Sequence, residues 1–243
     1  MNCISPTAPG IYDIDIDVYL GEQSYISSSG LKRVLKSPEA LQRYLLRQHE
    51  STPRLDLGTA VHCALLEPER FEREYVALPV EHVDLFHAQD LQLIREQRPY
   101  PLRFITQAQM ETVHGIREQV ARQPDIAALL RRGLAERSLF WQDPETGIRC
   151  KVRPDLLVLP HLILELKTTF DASLAVFQRT LQMQRYHLSA AMYLDGVAHL
   201  TGYRSITYTL SRAAIRLIGS RLLFPVRRCC RRACASIVPD CKG

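Results

Sequence analysis

Asp155, Glu165 and Lys167 are the residues of this chain whose types and spacing point most directly to chemistry. They stand in the text RPDLLVLPHLILELKTT, residues 153–169. Its two apolar runs, rich in Leu, Ile and Val and separated by a proline, read as strands. In a strand, residues two apart share a face, so Glu165 and Lys167 project together. If the two strands pair, Asp155 stands beside Glu165. Two carboxylates held close repel as anions, and a divalent cation is the usual way of making that arrangement favourable. A neighbouring lysine can orient or help deprotonate a water and offset charge on a phosphate. These are the parts needed for metal-assisted phosphodiester hydrolysis, because a bound metal can lower the pKa of its water from 15.7 to roughly 7 and neutralise charge in the transition state. The plain alternative is a solvated charge alternation on a half-exposed strand, since an isolated Asp…Glu-x-Lys pattern arises easily by chance. The strongly apolar Ile-Leu-Glu-Leu text favours a central strand, where inward charges need a partner or a metal.

The elements that must hold these residues are written in the flanking text. SLFWQ (138–142), the turn DPETG, then IRCKVRPDLLVL and LILELKTT form three β-rich runs separated by turn residues. Upstream, residues 25–50 read as two short helices. One of Ser27, Ser28 and Ser29 is the expected cap of the first, and Ser37-Pro38-Glu39 supplies cap, first-turn proline and acidic first turn for the second. A third helix carries Leu57, Val61 and Leu65 on one face and contains His62, with Asp56 as its expected cap. EYVAL (74–78) reads as a short strand. Residues 84–133 read as mostly helical, with a capping box at Thr106 and Gln109 and a new start at Pro124-Asp125. One longer helix is expected from Asp171 to Asp195, followed by a strand over 203–210. The order of helices, hairpin, strand, helix and strand predicts an α/β domain with a mixed central sheet flanked by helices.

With those residues in view, Asp155…Glu165-x-Lys167 resembles the PD-(D/E)xK nuclease signature. The wider text is similar to the nuclease domain of RecE (exodeoxyribonuclease VIII) and its phage-encoded relatives. The resemblance runs through YISSSGLKRVLKSPEALQRYLL, LDLGTAVHCALLEPERFEREYVA, AERSLFWQDPETGIRCKVRPDLLVL, LELKTT and RYHLSAAMYLDGV, and is weakest across 80–130. It implies a restriction-endonuclease-like fold and Mg²⁺-dependent hydrolysis of linear double-stranded DNA, Mn²⁺ being an acceptable substitute. By the same resemblance the enzyme would work from the 5′ end, leave 3′ overhangs for recombination, pass them to a RecT-like single-strand annealing protein, and form homo-oligomeric rings. His62, Asp155 and Glu165 match metal ligands, with Leu166 adding its backbone carbonyl, and Lys167 matches the catalytic lysine. For His62, a core or cap histidine is the alternative. Glu136 matches an acidic position near the metals, a solvated strand-end charge being the equal alternative. Thr168, Thr169, Arg185 and Tyr186 are candidate phosphate or base contacts, with core packing the other reading of Tyr186. Relatives place a Gln four residues before a Tyr on the helix after the Glu-x-Lys strand. Here Tyr193 is present, but the Gln position is Ser189, which is too short for the same bidentate contact.

The resemblance stops near Leu210, which divides the chain into an expected nuclease domain, 1–210, and a tail, 211–243. The tail holds eight Lys/Arg and one acid, net +7. Taking these from the totals of 31 basic and 26 acidic residues leaves 23 and 25, net −2, for the body. The sequence pI near 8.9 therefore belongs to the tail and is no evidence that the body binds nucleic acid, whereas the tail itself could do so non-specifically. An abrupt change to Arg/Cys-rich text suggests a shifted reading frame. The tail also carries Cys229, Cys230, Cys234 and Cys241, four of the seven cysteines. Cys3 with Cys230, Cys234 and Cys241 could be drawn as an iron–sulfur set, although the adjacent Cys229 breaks the spacing. Cys63 and Cys150 read as small buried apolar residues. No apolar run reaches the roughly 18 residues of a membrane span, and the N-terminus lacks the pattern of a signal peptide, so the expected location is the cytoplasm. The alternative function is a catalytically silent prophage remnant that at most binds DNA.

Overall fold

Asp-Pro-Glu-Thr-Gly turns the chain between β6 (Ser138–Gln142) and β7 (Arg149–Val152), which pair antiparallel with Leu139 opposite Val152. In the computed structural model the described residues are 6, 8–46, 53–83, 87–97, 99–167, 174–211 and 216–219. Thr168, Thr169, Cys3 and the tail cysteines lie outside them, as does most of the tail. The same two strand paths continue below the hairpin as β5 (Leu134–Ala135) and β8 (Leu156–Val158), with Leu134 opposite Leu157. Both pairings obey one register, so the hairpin does not slip where the ladder is interrupted at Arg153-Pro154-Asp155. Proline has no N–H to give a ladder, and the chain uses that point to leave one sheet for another.

The run IRCKVRPDLLVL is therefore two strands. The first sheet has the order β1-β6-β7-β2, formed with β1 (Gly10–Tyr12) and β2 (Ile26–Ser27). It is mixed, because β2 runs parallel to β7 while the other pairs are antiparallel. The second has the order β11-β10-β9-β8-β5, adding β9 (Leu162–Lys167), β10 (Ile206–Ser211) and β11 (Arg216–Gly219). The mixed α/β architecture expected from the sequence is present, with these nine strands divided between two sheets.

Helices cover these strands. Ser27 caps α2 (Ser28–Val34) by accepting from Gly30 N–H, and Ser37 caps α3 (Pro38–Leu45) by accepting from Ala40 N–H. The preceding α1 (Ile16–Gly21) sits where the alternating Asp-Ile-Asp-Ile-Asp text hides its helical character, and Asp15 caps it. The single helix expected over 171–195 is two, α9 (Leu174–Met183) and α10 (Tyr186–Thr201), broken at Arg185 in the left-handed region at φ 50°. Helix α10 lies close on β6. A Cβ on Gly196 would come within 2.8 Å of the Trp141 ring, so only glycine allows this approach. Around that contact Leu31, Leu139, Val152, Leu157, Ile163, Met192 and Val197 form one buried cluster. Each such side chain contributes roughly 1.5–3 kcal/mol by leaving water.

The chain divides into two compact units: residues 1–49, 133–165 and 169–243, and residues 50–132 with 166–168. The second unit contains α4 (Pro53–Leu66), α5 (Pro68–Glu74), α6 (Ala88–Glu96), α7 (Gln107–Ala121) and α8 (Pro124–Arg132). With them runs a two-stranded parallel sheet of β3 (Tyr75–Leu78) and β4 (Arg103–Thr106). The Thr106–Gln109 capping box forms in both directions. Helix α4 starts at Pro53, so Asp56 lies inside it rather than at its cap. Strand β4 was not legible as a strand, because four residues ending in a helix cap carry too little alternation. Among the described residues no helix is long and apolar enough to cross a membrane.

Candidate functional site

The shared register of the hairpin sets the geometry. Leu156 faces Leu164 across β8 and β9, which puts Asp155 opposite Glu165. Ala135 faces Leu156 across β5 and β8, which puts Glu136 opposite Asp155, and the Glu136 N–H donates to the Asp155 carbonyl at 3.0 Å. Three carboxylates thus stand in one row across three neighbouring strand paths. Carboxylate oxygens of Glu136 and Asp155 lie within 4.8 Å of each other. At that separation two anions repel by about 3 kcal/mol for an effective dielectric near 20. Asp155 is 8% exposed and Glu165 9%, so bulk water screens them little.

The neighbours of this row are polar and specific. The Tyr193 hydroxyl, carried by α10, donates to Glu165 Oε1 at 3.2 Å. Burial, and after it the charges of Glu165 and Asp155, push the Tyr193 phenol well above its ordinary range, so it remains a donor at any working pH. Arg153 Nε donates to Glu136 Oε2 at 2.9 Å. Its NH1 group donates to Ser138 Oγ at 2.6 Å and to the Ile14 carbonyl at 3.0 Å. Glu136 itself has φ 52°, a left-handed conformation that costs a non-glycine residue on the order of 1 kcal/mol. Strain of this kind concentrates where side-chain placement matters more than local stability.

A cavity of about 500 Å³ in the first unit opens beside the row, with Glu136, Arg153 and Tyr193 among its lining residues. Arg149 and Lys151 of β7 and Ser28 of α2 also line it. Arg149 stacks over the Tyr25 ring, 4.9 Å from its centroid. Lys151 is 5% exposed, donates to the carbonyls of Tyr19 and Glu22 at 2.5 and 2.7 Å, and is pulled down to about 8 by burial, against the opposing Glu22 charge. The wall is therefore cationic and aromatic, the combination that suits a phosphodiester with a stacked base.

The other expected residues fall as follows. Glu165 and Lys167 are two apart on β9 and share its face, while Leu166 between them is buried. Lys167 Nζ donates to the Leu166 carbonyl at 3.1 Å. His62 lies on α4 in the second unit, partly buried. Ser189 is buried on α10, Arg185 occupies the N-cap position of that helix without a side-chain capping bond, and Tyr186 carries Lys32 over its ring at 5.6 Å. Cys63 and Cys150 are buried, and burial pushes the Cys63 thiol up to about 12, as expected for inert packing residues. Arg153 was not singled out from the sequence. Its signal was present, two residues before Asp155 in a β run, but a proline between them hides the strand geometry.

The donor chemistry fits a hard divalent cation: the row offers carboxylate oxygens, two of its three residues being buried. The family model matching residues 27–212 is described as a PDDEXK-like domain of unknown function (DUF3799). The chain belongs to this family. A solved structure of similar fold is that of a putative exonuclease from Eubacterium rectale, with a TM-score of 0.61 and 13% identity over 93% of this chain and 84% of that one. Among curated proteins none matches the chain.

Proposed function

We propose that this PDDEXK-like domain is a Mg²⁺-dependent exonuclease of linear double-stranded DNA, acting in the cytoplasm from the 5′ end to leave 3′ overhangs, and accepting Mn²⁺. The observation that carries the reading is the row of Glu136, Asp155 and Glu165 in a single cross-strand register, beside a cationic and aromatic cavity. Asp155 and Glu165 hold the ion, joined by the Leu166 carbonyl and His62, and Glu136 stands next to them. The bound metal supplies a water of lowered pKa and positive charge for the phosphate oxygens. Lys167, on the same strand face as Glu165, orients the attacking water and offsets charge on the phosphate. Tyr193 fixes the rotamer of Glu165 through its hydroxyl. Arg149 with the serines of α2 seats the DNA strand by its phosphates, and Thr168, Thr169 and Arg185 are further candidate phosphate or base contacts. The overhang would pass to a RecT-like annealing protein, and a ring of copies would keep the enzyme on its substrate.

The deciding experiment is degradation of linear 5′-phosphorylated duplex DNA by the purified chain, with Mg²⁺, Mn²⁺ or EDTA, alongside Glu165→Ala. Metal-dependent loss of DNA that the variant lacks is expected, and end-labelled substrates read the polarity. No degradation by folded wild-type protein would instead identify a silent DNA-binding remnant.

A further inference from the structure

Arg153, which follows β7 of the other sheet, reaches the carboxylate row through its ion pair with Glu136. Its side chain is 10% exposed, and the guanidinium is held at three points: Nε to Glu136 Oε2, and NH1 to Ser138 Oγ and to the Ile14 carbonyl. The last two bonds anchor the fork on β6 and on the segment before α1, independently of Glu136. The planar fork can satisfy all three acceptors at once, whereas a lysine ammonium at the same place cannot match their directions. The Tyr19 ring lies 6.0 Å from the guanidinium, closing another side. Arg153 is therefore a fixed object against which Glu136 is set.

Glu136 needs such an object. It sits in the left-handed region, just past the end of β5, with a carboxylate oxygen within 4.8 Å of one from Asp155. Repulsion between the two carboxylates opposes that placement, and the Arg153 ion pair offsets it. We propose that Arg153 is a positioning residue that keeps the Glu136 carboxylate beside Asp155 and so preforms the metal-binding arrangement. The inference rests on the metal-nuclease reading above. Arg153 acts through Glu136 and touches no reacting atom. Partners that orient liganding carboxylates typically change metal affinity by 10–100-fold when removed.

The test is Mn²⁺ binding to the full chain without DNA, followed by calorimetry and by the spin signal of the bound ion. Arg153→Gln and Arg153→Lys are each expected to weaken binding about tenfold or more. Glu136→Gln weakens it comparably, and Arg153→Gln adds nothing in the Glu136→Gln background, because the two residues act in series. Unchanged or tighter binding by Arg153→Gln overturns the proposal, since the guanidinium then merely repels the ion. Additive losses in the double variant overturn it as well. A wild-type chain with no Glu165-dependent Mn²⁺ site overturns the metal reading and this inference together, whereas a site insensitive to Arg153 overturns the inference alone. If the Arg153 variants do not fold, Ser138→Ala decides. It removes one anchor of the fork and is expected to weaken binding about threefold, and no change would count against the proposal.

Discussion

The two ends of one hairpin solve their backbone problems in opposite ways. At the tip, Gly147 takes φ 70° without cost, Asp143 accepts from Thr146 N–H at 3.0 Å, and Asp143 and Gly147 close the turn through their backbones at 2.8 Å. Everything the tip needs lies within five residues. At the base, a left-handed conformation falls on Glu136, and its stabilising partners are Asp155, nineteen positions away, and Arg153, seventeen away. The charges differ too. The charged lining of the cavity of about 350 Å³ by the tip is Asp143, Glu145 and Asp195 with Arg204, whereas that of the one by the base is Arg149, Lys151 and Arg153 with Glu136. The tip is a turn optimised for folding. The base accepts strain and buried charge, a pattern proteins tend to keep for functional sites.

The comparison breaks most decisively at the acids. Asp155→Ala should lower DNA degradation by at least about a thousandfold, the scale of losing a principal electrostatic contributor to catalysis, while circular dichroism shows the fold retained. Retained activity would mean the row is structural. Tyr193→Phe removes the donor to Glu165 and leaves the ring, so degradation should fall about tenfold and stability by about 1 kcal/mol. Equal activity with lower stability would make Tyr193 a packing residue.

Lys151, on the hairpin between its two ends, gives a pH-dependent version of the same contrast. Its folded pKa of about 8 lies below the ordinary value of 10.5. Below pH 8 both states hold the proton and the penalty of burying the charge is fully present. Between pH 8 and 10.5 the unfolded chain keeps a proton that the folded chain gives up, so this group makes folding more favourable as pH rises. Urea unfolding at pH 7 and pH 9.5 should show wild type gaining about 1–2 kcal/mol on Lys151→Met over that interval. A parallel response of the two proteins would contradict the buried-ammonium picture.

The finest test exchanges the two ends. Gly147→Ala should cost about 1 kcal/mol or slightly more, because alanine is strained at positive φ, with DNA degradation unchanged. Glu136→Gly should change stability by less than about 1 kcal/mol, relief of strain offsetting the lost ion pair, yet reduce degradation. Equal effects on activity at both ends would remove the distinction.

Much of this molecule was legible in order of residues. The caps Ser37 and Thr106, the Asp-Pro-Glu-Thr-Gly turn, the apolar runs and the same-face placement of Glu165 and Lys167 depend on neighbours within four residues. The expectation that Asp155 meets Glu165 followed as well, once the two strands were assumed to pair. What the chain order could not show is where the ladder breaks. Arg153-Pro154-Asp155 reads as the middle of one strand, and 171–195 reads as one helix, because periodicity registers neither a proline that shifts a strand between sheets nor the left-handed turn at Arg185. The division into two units, with residues 50–132 inserted between parts of the first, has no local signature either. Glu136 changed from an ambiguous strand-end charge into a member of the carboxylate row only through a register held across both sheets, and Arg153 became its partner by the same route. Local text specifies which residues are suited to chemistry. Which of them share a face is decided by long-range pairing, since registers and sheet changes are set by the burial of whole strands rather than by any one residue's preference.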